Sequence, residues 1–80
     1  MRARVYITPK KGVLDPQGKA IEHSLHALGF PEAHDVHLGK YVELSLEGLD
    51  PSRARDRTDE MCRKLLVNGV IEDYRFEIDE

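Results

Sequence analysis

Tryptophan is absent and cysteine occurs once, at Cys62, so no disulfide can close within the chain. No Cys-x-x-Cys pair or Cys/His framework of zinc-finger spacing exists either. No apolar run approaches the roughly 18 residues needed to span a bilayer. The opening Met1–Thr8 stretch has arginines but no apolar signal-type core after it, so a cytoplasmic protein is the expectation. A basic excess is also lacking. Twelve Lys and Arg stand against 15 Asp and Glu, for a net charge of −3, the reverse of the concentrated positive surface that displaces counterions from nucleic acid. Gly12, Gly18 and Gly29 fit neither a phosphate loop nor a dinucleotide fingerprint. What is left is one small domain over residues 1–80. A chain this short buries a modest fraction of its surface. With disulfides and zinc frameworks excluded, oligomerisation is the route to extra stability that remains open.

Residues 2–8 alternate, with Ala3, Val5 and Ile7 on one side and Arg2, Arg4, Tyr6 and Thr8 on the other. This is the period of a half-buried strand, and Pro9-Lys10-Lys11-Gly12 ends it. Asp15-Pro16 is a helix start, the carboxylate capping free N–H groups and the proline losing no hydrogen bond at the first helical position. Ile21, Leu25 and Leu28 follow at helical spacing, and Gly29 is placed to stop the helix. Gly18 weakens it slightly.

From Val36 to Leu46 one parity is apolar (Val36, Leu38, Val42, Leu44, Leu46), while the other holds His37, Tyr41, Glu43, Ser45 and Glu47. The parity does not flip at Gly39. The pattern therefore predicts either one long bent strand or two strands joined by a three-residue turn. A single strand over 36–46 would be about 36 Å long and would overhang its domain, and an overhanging edge calls for a partner. Leu49-Asp50-Pro51 repeats the first helix-start signal. The second helix carries Ala54, Thr58, Met61, Cys62 and Leu65 on one face and Arg53, Asp56, Arg57, Glu60, Arg63 and Lys64 on the other, with Asn68-Gly69 as its stop. A last strand alternates Val70, Tyr74, Phe76 and Ile78 with Ile71, Asp73, Arg75 and Glu77. Glu77, Asp79 and Glu80 read as a solvated acidic end.

This order predicts an α+β, ferredoxin-like sandwich: an antiparallel sheet with two helices on one face, and a dimer formed through strands. The opposite sheet face would carry Arg2, Arg4, Tyr6, His37, Tyr41, Glu43, Asp73, Arg75 and Glu77.

Little of this is catalytic chemistry. The histidines fall as His23/His26 and His34/His37, and a helical pair is one element of a metal site. No carboxylate or cysteine is evidently convergent with them, so they read as solvated surface groups. Cys62 lies on an apolar helix face and reads as a core thiol rather than a nucleophile. Lys40 shares the parity of Val36, Leu38 and Val42, where an unpaired ammonium is costly. Either Gly39 bends the chain and frees it, or it meets a carboxylate or phosphate. An open sheet with tyrosines suggests an RNA-recognition surface, but the RNP1 pattern is missing. A second alternative is a small ACT-like regulatory domain that binds an amino acid at a dimer interface, near Gly29 and Phe30-Pro31-Glu32.

Five strings carry a resemblance: Leu14-Asp15-Pro16-Gln17-Gly18, Leu28-Gly29-Phe30, Leu38-Gly39-Lys40-Tyr41, Met61-Cys62-Arg63-Lys64-Leu65-Leu66-Val67-Asn68 and Val70-Ile71-Glu72-Asp73-Tyr74. Together, and in this order, they resemble the PurS family, the small subunits of phosphoribosylformylglycinamidine (FGAM) synthetase. Asn68-Gly69 departs from the family's Asn-Pro, though both end a helix. The resemblance implies a subunit without catalytic residues or cofactors of its own. It pairs with itself as dimer or tetramer and bridges a large subunit, PurL, and a glutaminase subunit, PurQ, in a complex that uses ATP and Mg. Leu38, Gly39, Lys40, Tyr41 and Tyr6 are the candidate interface residues.

Overall fold

Strand β1 (Arg2–Pro9) is the centre of the molecule, because its alternation supplies the three most deeply buried sheet positions, Ala3, Val5 and Ile7. The computed structural model describes residues 1–79; Glu80, part of the expected acidic end, lies outside them. Strands β2 (Lys40–Ser45) and β3 (Glu72–Asp79) flank β1, both antiparallel, giving a sheet of order β2-β1-β3. The register sets Val5 between Val42 and Phe76, Ala3 between Leu44 and Ile78, and Ile7 between Lys40 and Tyr74. These positions form one face, as the parity of each strand requires.

That face is covered by helix α2 (Pro51–Met61) and the π turn Cys62–Leu66 that continues it. Asp50 caps the helix, its carboxylate accepting the Arg53 N–H at 2.8 Å. Ala54, Thr58 and Cys62 point into the sheet and are fully buried. The core has two adjoining parts. One joins Val5, Ile7, Cys62 and Val67; the other joins Ala3, Leu46 and Ala54, with Leu44, Met61 and Ile78 packed around it. Leu65, expected on the apolar face, is instead 83% exposed. In the π turn the Val67 N–H reaches back five residues to the Cys62 carbonyl, so the wider turn carries Leu66 and Val67 inward and Leu65 out. The helix thus ends before Asn68-Gly69. There the Asn68 carbonyl accepts the N–H groups of Ile71 and Glu72, which makes the turn into β3. Val70 and Ile71 lie in that turn, exposed, rather than in the expected strand.

Helix α1 (Pro16–Ala27) is built as expected: Asp15 caps it through the Gly18 N–H at 3.0 Å. At its other end the Phe30 and Gly29 N–H groups bond to the Leu25 and His26 carbonyls, a Schellman pattern. Yet α1 contributes nothing to either part of the core, and Gly18 is its sole buried residue. The class is α+β and ferredoxin-like, but the sheet is covered by α2 while α1 lies beside it. A molecule 50 Å long and only 14 Å in its thinnest direction results.

Neither expected form of 36–46 is found, one long strand or two joined by a turn: the segment holds a single strand, Lys40–Ser45. Residues 36–38 leave the sheet because α1 takes their N–H groups: Glu22 accepts from Val36 at 3.2 Å and Asp15 from Leu38 at 2.9 Å. Gly18 belongs to this joint. A Cβ there would press into the Val36 carbonyl oxygen and lie 2.6 Å from Asp15 Oδ2. Helix propensity alone favours Gly18→Ala by about 1 kcal/mol. Overpacking against backbone costs about 1–3 kcal/mol. The expected outcome is net destabilisation in urea unfolding; a more stable Gly18→Ala protein would show that the joint does not hold α1 in place.

Candidate functional site

The five candidate interface residues separate into different environments. Tyr6 and Tyr41 face each other across β1 and β2 on the outer face of the sheet, ring centroids 5.2 Å apart. Arg75, on the other side of Tyr6, places its guanidinium 4.0 Å from the same ring. Around this stack the charges are paired: Arg2 with Glu43 at 3.1 Å, Arg4 with Asp79 at 2.6 Å, Arg75 with Glu77 at 3.0 Å. Glu77 and Asp79 are therefore strand residues bound to arginines rather than a free acidic end. The outer face is the expected one apart from His37, which lies in the 36–38 segment and pairs with Asp35. Desolvation, then the neighbouring Glu43 carboxylate, raise the Tyr41 phenol above its ordinary value.

Lys40 lies on the inner face. Its ammonium reaches the Glu72 carboxylate of β3 at 3.3 Å, across the end of β1. The same carboxylate accepts the Asn68 N–H at 2.8 Å. That backbone bond, and then Lys40, hold Glu72 below the ordinary glutamate range. The partner of Lys40 is thus a carboxylate of its own chain. Gly39 is where the chain enters the sheet: a Cβ there would lie 2.5 Å from the Ile7 carbonyl oxygen, so a side chain has no room. Leu38 is bound by its N–H to Asp15 and leaves its side chain half exposed.

Cys62 has no exposed surface, and burial followed by the Asp59 carboxylate pushes its thiol upward. This is the wrong direction for a nucleophile. Asp59 is itself engaged by the Tyr74 hydroxyl and by Arg63 Nε at 2.8 Å, which together depress it. Tyr74 lines an open cleft with Lys10, Arg63 and Glu72, but its hydroxyl bond to Asp59, and then burial, raise the phenol above its ordinary value rather than activate it.

The second concentration of polar groups is the joint between α1 and the loop after it. A cleft of about 640 Å³ opens there, lined among others by Lys11, Asp15, Lys19, Glu22 and His37. One turn along α1, Glu22 and His26 converge with His34 of the loop, their ligand atoms all within 4.8 Å of one another. This corrects the reading of the histidines as lacking a convergent carboxylate. The Glu22/His26 spacing of four was visible in the sequence. The return of His34 was not, since it depends on the loop turning back after Gly29. His23 and His37 stand outside the cluster.

Comparisons with known proteins agree with one another. The family described as "PurS: Phosphoribosylformylglycinamidine (FGAM) synthase" matches residues 2–80. The phosphoribosylformylglycinamidine synthase subunit PurS of Bacillus subtilis is 49% identical, over 99% of this chain and 93% of its own length. Methanocaldococcus jannaschii PurS, described as a subunit of formylglycinamide ribonucleotide amidotransferase in the purine biosynthetic pathway, superposes with a TM-score of 0.87 at 37% identity, covering 99% of this chain and 95% of that one. A chain of the PurLQS structure from Thermotoga maritima gives 0.87 at 28% identity, covering 95% and 93%.

Asp15 joins the two halves of the joint, accepting from Gly18 with one oxygen and from Leu38 with the other. These backbone bonds are the main reason its carboxyl lies below the ordinary aspartate value. A depressed folded-state pKa means the stabilisation is present above the unfolded value, near pH 4, and is lost as pH falls through the lower folded value. Asp15→Asn keeps an oxygen for Gly18 but cannot accept a second N–H through its amide nitrogen. The expected result is faster exchange of the Leu38 amide at pH 6 with the Gly18 amide still protected. The difference from the parent chain should shrink as pH falls below about 4.

Proposed function

The chain belongs to the PurS family of FGAM synthase subunits, and we propose that it is the small assembly subunit of that enzyme in de novo purine biosynthesis. In this reading it pairs with further copies of itself and holds an ATP-using large subunit, PurL, beside a glutaminase subunit, PurQ. It works in the cytoplasm, contributes no catalytic residue, and leaves ATP and Mg to the large subunit.

The observation that carries the proposal is excess surface. The chain exposes 5915 Å², where a compact monomer of 9.1 kDa would expose about 4,900 Å². Its radius of gyration is 16.0 Å, against about 12 Å for a compact domain of this length. The excess lies where α1 stands away from the sheet, with Ile21, Leu28 and Phe30 exposed along and beyond it. The surplus of about 1,000 Å² is on the scale of one partner's share of a standard protein interface. A groove of about 320 Å³ beside α2, lined by Leu44, Met61, Leu65 and Leu66, offers a second apolar surface. The paired charges and tyrosines of the outer sheet face offer a third.

The chemistry of the reaction explains why such a subunit is needed. Ammonia released into neutral water becomes mostly ammonium, which is not a nucleophile, and the activated amide intermediate is open to hydrolysis. Holding two active sites in one closed assembly meets both problems. The reading also replaces the amino-acid-binding alternative, which rested on fold analogy alone.

The test is glutamine-dependent FGAM formation by purified large and glutaminase subunits, with and without this chain, alongside light scattering of the mixture. Activity and a ternary complex that both require the chain are expected. Unchanged activity and no complex would overturn the proposal. Leu28→Glu tests assembly apart from folding: the side chain is 74% exposed, and a carboxylate at the C-terminal end of α1 costs the monomer about 0.3–1 kcal/mol. Its far-UV spectrum should match the parent's while the mass by light scattering falls.

A further inference from the structure

We propose that Glu22, His26 and His34 form a binding site for a divalent transition-metal ion of borderline softness, with Zn²⁺ the first candidate. The three side chains come from two segments, α1 and the loop after it, and their ligand atoms already lie within 4.8 Å of one another. Ligands at zinc bond lengths of about 2.0–2.2 Å stand roughly 3.4 Å apart in a tetrahedral shell. Closing the site therefore requires the ligand atoms to draw together by up to about 1.4 Å.

The outer bonds of the site are in place. His26 Nε2 lies 2.7 Å from the Ala33 carbonyl oxygen. A carbonyl only accepts, so this nitrogen carries the hydrogen, and in the neutral ring Nδ1 is the atom left to ligate. A ring N–H donated to a backbone carbonyl is the usual support of a metal-bound histidine. Glu22 spends one oxygen on the Val36 N–H at 3.2 Å, which leaves the other free. Both supporting bonds run from α1 to the loop that carries His34, so the same contacts that fix the ligands bring them together.

The donor set selects the ion. Two imidazoles with one carboxylate and no thiolate suit Zn²⁺, Ni²⁺ or Co²⁺, whereas Mg²⁺ and Ca²⁺ require shells of oxygen. His26 and His34 are exposed, so water completes the shell. The consequence is local: an ion there would tie α1, which has no place in the core, to residues 33–36. This inference does not depend on the assembly role.

The experiment is a Zn²⁺ titration of the untagged full chain, followed by calorimetry and by NMR of the histidine rings. The expected result is one saturating equivalent that shifts the rings of His26 and His34 and leaves those of His23 and His37 in place. Glu22→Gln, His26→Ala and His34→Ala should each weaken binding by about tenfold or more. His23→Ala, on the same helix outside the cluster, should bind as the parent does. Co²⁺ in place of Zn²⁺ should give visible absorption bands that the His34→Ala protein lacks. No saturable binding at millimolar Zn²⁺, or an equal loss in His23→Ala and His34→Ala, would overturn the proposal. The ring shifts are read on the unaltered chain, so a variant that fails to fold does not remove the test.

Discussion

Two carboxylates, those of Asp15 and Glu22, attach α1 to the rest of this chain, and most of the architecture follows from that. A helix of 12 residues is marginal by itself in water, and this one has no apolar contact with the core to stabilise it. It is capped at both ends, and it is bonded to the N–H groups of Val36 and Leu38. Those bonds draw the 36–38 segment out of the sheet and shorten β2 to six residues. The overhanging strand disappears with them, and exposed apolar groups, Ile21 and Leu28, stand along α1 instead.

Strand β1, the helix starts and the end of α1 were legible because they depend on local signals. The alternation of β1 names its buried side correctly, both Asp-Pro pairs start helices, and the Gly29 stop stands. What was not legible depends on which group a backbone N–H finds. Val36 and Leu38 keep the parity of the strand although they are outside it. A period of two reports where side chains would point, not whether the ladder forms. Leu65 fits the helical face on paper, and only the π turn moves it out. The cluster of Glu22, His26 and His34 was half visible, as a spacing of four. The third member arrives through a loop whose course no periodicity records.

Leu38-Gly39-Lys40-Tyr41 shows how a continuous string need not be a continuous site. Leu38 gives its N–H to α1, Gly39 passes against the Ile7 carbonyl, Lys40 pairs with Glu72 and Tyr41 stacks with Tyr6. Each residue has a sufficient reason within the chain, and together they form the entry of the 36–38 loop into the sheet. The Lys40–Glu72 pair is exposed on the lysine side, and such pairs contribute little to stability. Its effect is to let a charged residue end an apolar face without an unpaired ammonium. Of the four, Tyr41 alone presents its side chain to the outer face, beside Tyr6, where another chain can reach it.

A subunit whose work is contact faces a conflict between its own folding and its assembly. Apolar groups left for partners are withdrawn from the core, and a chain of 80 residues has few to spare. Here the division is spatial: the sheet and α2 hold what core there is, while Ile21, Leu28 and Phe30 are withheld. A partner that covered α1 would bind the folded state and not the unfolded one, and would stabilise it by an amount that grows with the logarithm of its concentration over the dissociation constant. The polar joint at Asp15 and Glu22 holds the helix in position without a share of that core.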